Sequence, residues 1–366
     1  MIPGRATSEG TQRFAGRSQA AEGHFRNAGG LSLSSLGLGT YLGREDARTD
    51  EGYEAAIAEA LGLAVNVFDS AINYRGQRSE RAVGRAIARA IADGSASRDE
   101  LFVSTKGGYL PHDAEDPRDP RRYVQEEFID SGTAPRDEIA RGMHCMGPGY
   151  LADQIERSRR NLGLETIDLY YLHNIETQRV ERTRADFRKA LAASVERLER
   201  SVDSGAIAAW GLATWDGLRA PPEHPEHLSM EETLAVAREV AGEKHHFAAV
   251  QLPVNVAMPQ AIAYPSQSVA GSRRPALPAA RELGLAAFGS ASLLQGRLAE
   301  DLFDEIVEAL PGLDEPAHRA LQFARSAPGM TASLVGVSRA EHARLDFALS
   351  RKRPAEESVI LSFFDR

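Results

Sequence analysis

The sequence predicts an α/β chain folded as a (β/α)8 TIM barrel with long loops at the C-terminal face of the sheet. Eight short apolar runs recur along the 366 residues. Helical patterns separate most of them, and several of those patterns close on a glycine. Polar groups gather at the C-terminal ends of the runs, while the N-terminal ends are plain. Apolar runs of four to ten residues read as strands buried on both faces, the pattern of a parallel sheet. Strict alternation with helices favours closure into a barrel. An open doubly wound sheet would announce a phosphate site by a glycine-rich turn after its first strand. Leu36-Gly37-Leu38-Gly39-Thr40 is only a partial match, with no third glycine opening a helix.

The predicted strands are Leu31–Thr40, Ala64–Asp69, Leu101–Lys106, Thr166–His173, Ile207–Thr214, Phe247–Gln251, Leu285–Phe288 and Ala332–Gly336. The predicted helices are Tyr53–Ala60, Glu80–Ala92, Tyr150–Leu162, Phe187–Ser204, Met230–Ala241, Pro275–Leu283 and Glu315–Ser326. Glycines such as Gly62, Gly94, Gly163 and Gly205 stand where a helix C-terminus needs a left-handed residue. The connections 107–148 and 253–274 are long; loops of that length inside a compact domain are usually lids or mobile segments. Residues 1–30, rich in Gly, Ser, Arg and Gln, read as a loose lead-in. Residues 31–349 then form the barrel, including the insertion 107–148, and residues 350–366 a tail.

Composition narrows the function. A chain that is 42% hydrophobic and 26% charged is an ordinary globular one. Its net charge of −9 argues against broad binding to nucleic acid or to an anionic membrane. Cys145 is the one cysteine, which suits a reducing, cytoplasmic compartment. No apolar stretch of about 18 residues exists that would span a membrane. His144-Cys145 supplies two neighbouring donors where a zinc site needs three or four, so no metal is expected. Arg118, Arg121, Arg122 and Arg136 in the insertion read as a solvated set balanced by Asp113, Glu115, Asp116 and Asp119. Tyr109, Tyr123 and Met143 are candidates to line a pocket.

Three strand ends and one turn carry the chemistry. Asp69 ends the second run, Lys106 the third and His173 the fourth, and Tyr74 follows Asp69 by five residues. A phenol titrates near 10 and is a weak acid or base at neutral pH. A nearby ammonium stabilises phenolate and lowers that value. A carboxylate keeps the ammonium charged, and an imidazole can orient a carbonyl oxygen. The set suits proton donation to a developing alkoxide. Carbonyl reduction also needs a hydride, which no side chain supplies, so a cofactor is implied.

Phe68-Asp69-Ser70-Ala71 with Tyr74, Ser79-Glu80 and Gly84, then Ser104-Thr105-Lys106 and Leu169-Tyr170-Tyr171-Leu172-His173-Asn174, resemble the aldo-keto reductase signature. The resemblance runs from about Leu31 to Leu349. It implies Tyr74 as general acid/base tuned by Lys106, Asp69 paired with Lys106, and His173 orienting the carbonyl of an aldehyde, ketone or sugar. It also implies a nicotinamide cofactor, NADPH with NADH as the alternative, laid across the barrel mouth. Gly39, Thr40 and Tyr41 match the first-strand cofactor segment, and Asp69 also lies beside the nicotinamide. Gln251 matches the carboxamide-binding glutamine, and Phe288 the aromatic that stacks on the ring. Gly289, Ser290, Ala291, Leu293 and Gln295 match the pyrophosphate loop. Gly336, Ser338, Arg339, His342 and Asp346 fall where the family contacts the adenosine half.

This chain departs from the family pattern in two places. Ala213-Thr214 replace the usual Ser-Asn, and Thr214 keeps hydrogen-bonding capacity where Ala213 does not. Leu345-Asp346 replace the usual Glu-Asn, and Arg339 is the candidate partner for a 2′-phosphate. Two other functions compete with a reductase. One is a cofactor-binding regulatory subunit with little turnover. The other is a lyase using Lys106 as a Schiff base, which needs that lysine free of a carboxylate.

Overall fold

The computed structural model describes residues 1–300, 302 and 304–364. Eight parallel strands close into a barrel: β1 (Leu36–Gly39), β2 (Val67–Asp69), β3 (Phe102–Gly107), β4 (Leu169–His173), β5 (Trp210–Ala213), β6 (Phe247–Pro253), β7 (Ala286–Ser290) and β8 (Ala332–Gly336). Each strand pairs with its sequence neighbours, and β8 closes on β1 through Leu334↔Gly37 and Gly336↔Gly39. The principal helices are α1 (Ala47–Gly62), α2 (Arg78–Ala92), α3 (Pro148–Leu162), α4 (Arg184–Asp203), α5 (Met230–Ala241), α6 (Ala276–Glu282), α7 (Pro316–Arg325) and α8 (Ala340–Phe347). Every predicted barrel strand forms, with some boundaries trimmed by one to three residues and others extended by one or two, and Leu31–Thr40 divides into a hairpin strand and β1.

Two apolar layers follow from the period-two alternation of the strands. Outward residues such as Leu38, Phe68, Val103, Leu172, Leu212 and Val250 pack beneath the helices. Inward residues fill the barrel: Val67, Phe102, Leu169, Tyr171, Phe288 and Leu334. The bulky side chains have room because inward positions on other strands are glycine or alanine. A Cβ on Gly37 would lie 2.8 Å from Leu334 and Val67, and one on Gly211 would lie 2.9 Å from the Tyr171 ring.

Residues 1–30 are not the loose lead-in expected. Ser8–Arg17 is a helix capped by Thr7, whose hydroxyl accepts from Gly10 N at 3.0 Å. Phe25–Ala28 pairs antiparallel with Leu31–Ser34. Asp168, at the foot of β4, anchors this segment by accepting from Ala6 N at 2.6 Å while pairing with Arg98 at 2.8 Å. The composition concealed it, because a few anchors in an otherwise polar stretch hold the segment to the floor of the barrel. Residues 350–364 run along α7, with Arg325 donating to Lys352 O and Gln322 to Arg353 O.

The insertion 107–148 is also structured. It carries the helix Pro120–Val124, a wider turn over Gln125–Asp130, and the hairpin Ile139–Ala140/His144–Cys145. Tyr123, Phe128, Ala134, Cys145 and Tyr150 form its own small core. Salt bridges Arg81–Asp113 (2.6 Å) and Arg157–Glu127 (2.7 Å) tie it to α2 and α3. It is a docked subdomain rather than a bare loop. Arg118 pairs with Asp116 at 2.8 Å, as the balanced-charge reading expects. No helix among the described residues is long and apolar enough to cross a membrane.

Candidate active site at the barrel mouth

The C-terminal ends of β2, β3 and β4 bring Asp69, Lys106 and His173 to one place, because all three are inward positions at the same rim, each one inward step beyond its neighbour's register partner (Asp69↔Ser104, Lys106↔Tyr171). Lys106 Nζ donates to the Asp69 carboxylate at 2.5 Å and to Ser70 O at 2.7 Å. The other Asp69 oxygen accepts from Ser104 Oγ at 2.7 Å and Gln251 Nε2 at 3.0 Å. Thr105 faces outward and donates to Glu80 at 2.6 Å, which fixes β3 against α2. Lys106 is committed to a carboxylate, which removes the condition that a Schiff-base lyase needs.

Tyr74 sits on the turn between β2 and α2. The next three residues, Arg75, Gly76 and Gln77, all have positive φ, at 51°, 54° and 68°. Only glycine takes such values without strain. Arg75 is held there by Asp50 at 2.5 Å and Arg44 O at 2.7 Å, and Ser79 Oγ donates to Thr40 O at 2.7 Å. The turn places the Tyr74 ring 4.9 Å from Lys106 Nζ, 5.9 Å from the His173 ring and 5.0 Å from the Tyr41 ring.

The electrostatics correct one expectation. Tyr74 is pushed well above the usual phenol range, first by burial and then by the Asp69 charge. The Lys106 ammonium lies over the Tyr74 ring and is paired with Asp69. Burial also lowers Lys106, against the pull of Asp69. His173 is held well below the usual imidazole range by burial, Lys106 and His144. Its imidazole is therefore neutral, and its Nδ1 is buried without a partner.

These groups border a cavity of about 640 Å3, within the range of small-molecule sites. Gly39, Thr40, Tyr41, Asp69, Tyr74, His173, Thr214 and Gln251 line it. Ser290, Ala291, Leu293, Gln295 and Gly336 line it as well. The segment after β7 curls around the mouth through positive φ at Ala291, Leu294, Gln295 and Gly296. Ser338, Arg339, His342 and Asp346 do not line this cavity; they continue from Gly336 through the N-cap Arg339 and along α8 to its last turn. Arg339 is exposed and makes no salt bridge among the described residues. Asp346 is buried and is raised to about 7 by that burial, with no salt bridge among the described residues to offset it.

Two cofactor assignments do not survive. Phe288 points down the barrel axis, stacked on Phe102 at 5.7 Å with rings 5° from parallel. It borders a second cavity at the barrel floor rather than the mouth. It pairs in register with Gln251, yet its ring packs among Phe102, Tyr171 and Ala249 in the barrel interior. Gly289 faces outward, where a Cβ would lie 2.9 Å from Met330. Of the insertion, Tyr109 alone reaches the cavity; Tyr123 is buried in the subdomain core and Met143 is 51% exposed. Asn73, Asn174, Glu176, Thr177, Trp215 and Glu226 line the cavity and were missed. Asn174 had a signal, since it directly follows His173; Glu176 and Thr177 open a four-residue helix too short to show a period, and the others lie on loops.

The residues present fit a nicotinamide cofactor on three counts. Thr214 Oγ1 is buried without a partner in the cavity wall. Gln251 spends its amide on Asp69 and keeps its carbonyl oxygen. Asp346 holds an unmatched carboxyl on α8.

Residues 35–233, more than half of the chain, match the model of the aldo/keto reductase family. The chain belongs to that family. This aldo/keto reductase is 29% identical over 191 residues to D-threo-aldose 1-dehydrogenase from Pseudomonas sp, a match covering 51% of the chain and 52% of that protein. It is 26% identical over 151 residues to L-glyceraldehyde 3-phosphate reductase from Escherichia coli strain K12, covering 40% of the chain and 35% of that protein. The matches thus span about half the length of one curated relative and about a third of the other. Among solved structures, the glycerol dehydrogenase AKR11B4 from Gluconobacter oxydans superposes with a TM-score of 0.62 at 18% identity, over 94% of the chain and 97% of its own. An aldo-keto reductase from Klebsiella pneumoniae in complex with NADPH gives 0.60 at 18% identity, over 94% and 95%. At such identities the superpositions bear on the fold.

Proposed function

We propose that the chain interconverts a carbonyl and an alcohol with NADPH as hydride donor. The observation that carries this reading is the buried Lys106–Asp69 pair beneath Tyr74, with His173 beside it, on one cavity. NADPH, when bound, supplies the hydride. Thr214 Oγ1 and Gln251 would take the carboxamide, the 290–295 segment the pyrophosphate, and Ser338, Arg339, His342 and Asp346 the adenosine half. Arg339, exposed and unpaired, is the group to meet a 2′-phosphate. One solved neighbour holds NADPH, and the names of two relatives describe dehydrogenases of an aldose and of glycerol.

Tyr74 is the proton donor. Burial keeps its phenol protonated at neutral pH, which is the form a reduction consumes. The phenolate left behind faces the Lys106 ammonium, and Asp69 holds that ammonium in place. Neutral His173 lends a hydrogen bond that orients the carbonyl oxygen toward Tyr74. In the reverse direction the same phenolate takes the alcohol proton. Fluorescence titration with NADPH and NADH, then a panel of aldehydes, ketones and sugars with the tighter cofactor, tests the reading. Absence of binding by both cofactors would sink it.

A further inference from the structure

The wall of the mouth cavity is acidic, and two of its carboxyl groups, Glu176 and Glu226, have no salt-bridge partner among the described residues. Among the described residues, no lysine or arginine lines it. Beyond Asp69, three carboxylates do: Glu176, Asp216 and Glu226. Asp216 is balanced by Arg219 at 2.6 Å. Arg219 is occupied further by Trp215 O and Gln260. Glu226 is half-buried and makes no salt bridge among the described residues. Glu176 is 5% exposed; one oxygen accepts from Trp215 N and Asp216 N at 2.7 and 3.2 Å, and the other has no partner. Burial raises this carboxyl to about 7.

The remaining lining on this side is polar but neutral, or aromatic. Asn73, Asn174, Thr177 and Tyr109 offer donors and acceptors. Tyr41 and Trp215, 56% and 43% exposed, frame the rim with flat rings. We infer that the cavity selects neutral polyhydroxylated aldehydes or ketones and rejects carbonyl substrates that bear a phosphate or carboxylate. This rests on the proposed carbonyl chemistry and adds the class of substrate to it. Hydroxyl groups donate to carboxylates that an anionic substituent would meet as like charge, and like-charge contacts are a strong device for rejecting a partner.

The test is steady-state kcat/KM with saturating NADPH for glyceraldehyde, glyceraldehyde phosphate and benzaldehyde, the last as an uncharged reference without hydroxyls. Glyceraldehyde should exceed its phosphate ester by about tenfold or more, and added salt should narrow the gap. Glu226→Lys should narrow it further, and Glu226→Gln should do so in part should the lysine variant fold poorly. Equal or faster turnover of the phosphate ester overturns the inference, as does a gap unchanged in both folded variants. If benzaldehyde is reduced while the other two are turned over equally, the inference fails and the carbonyl reading stands. If none of the three is reduced, both fail.

Discussion

Lys106 Nζ and the Asp69 carboxylate are 2.5 Å apart, with the lysine 1% exposed, so each group is the other's neutralising charge inside the barrel. Removing one partner strands the other. Asp69→Asn is expected to destabilise the fold by about 3–5 kcal/mol and to lower kcat by about 10²-fold. Thermal unfolding and single-turnover reduction check the two parts separately; a stable, fully active variant would break the link between the pair and proton transfer.

Tyr74→Phe removes the proton donor and little else, since the hydroxyl makes no structural hydrogen bond among the described residues. Turnover should fall by about 10²–10⁴-fold while NADPH affinity stays within about twofold. Unchanged turnover would show that another group gives the proton.

The raised phenol sets the direction of the pH profile. Reduction needs the protonated form, and a pKa above the usual value keeps that form present to higher pH. kcat/KM for reduction should stay level from about pH 6 to 9 and fall only above about 10. A falling limb near neutrality would place the donor elsewhere.

Asp346 carries an unfavourable burial that depends on pH. Burial raises its pKa in the folded state to about 7 from the usual 3.8, so the folded state favours the protonated form. The penalty is absent below the unfolded value, grows as pH rises, and is complete above about 7. Asp346→Asn should therefore stabilise the apo protein by about 2–4 kcal/mol at pH 8 and by little at pH 4. Equal gains at both pH values would mean that the carboxyl is not desolvated.

Gly52 reverses the usual helix rule. Glycine to alanine inside a helix ordinarily gains about 1 kcal/mol. In α1 a Cβ at this position would lie 2.3 Å from Ser338 O, on the segment proposed to hold the adenosine half. Gly52→Ala should lower the melting temperature and weaken NADPH binding together. A stabilised variant with unchanged binding would show that the 338 segment yields freely.

Much of the site was legible beforehand because its parts stand at the ends of apolar runs. Asp69, Lys106 and His173 each close such a run, and parallel pairing brings such ends to one rim of the barrel whatever the intervening loops do. Tyr74, Gln251 and Thr214 were legible by distance from those ends and by family resemblance. Glu176, Trp215 and Glu226 were not, since residues on loops and in a four-residue helix carry no period and reach the cavity only through the path of the backbone.

Phe288 marks the boundary between the two kinds of knowledge. The alternation of β7 sets its side chain inward, and the sequence carries that much. Whether an inward ring rises to the mouth or sinks onto Phe102 depends on which strands across the barrel present glycine or alanine, and on the stagger that brings them level. The same holds at Tyr74: its phenol, lysine and carboxylate could be named from the chain, but the sign of the phenol's shift could not. That sign is decided by how much water the folded barrel excludes and by the charge of Asp69. Local order follows from side-chain type and spacing; packing and desolvation exist only once distant segments share a volume.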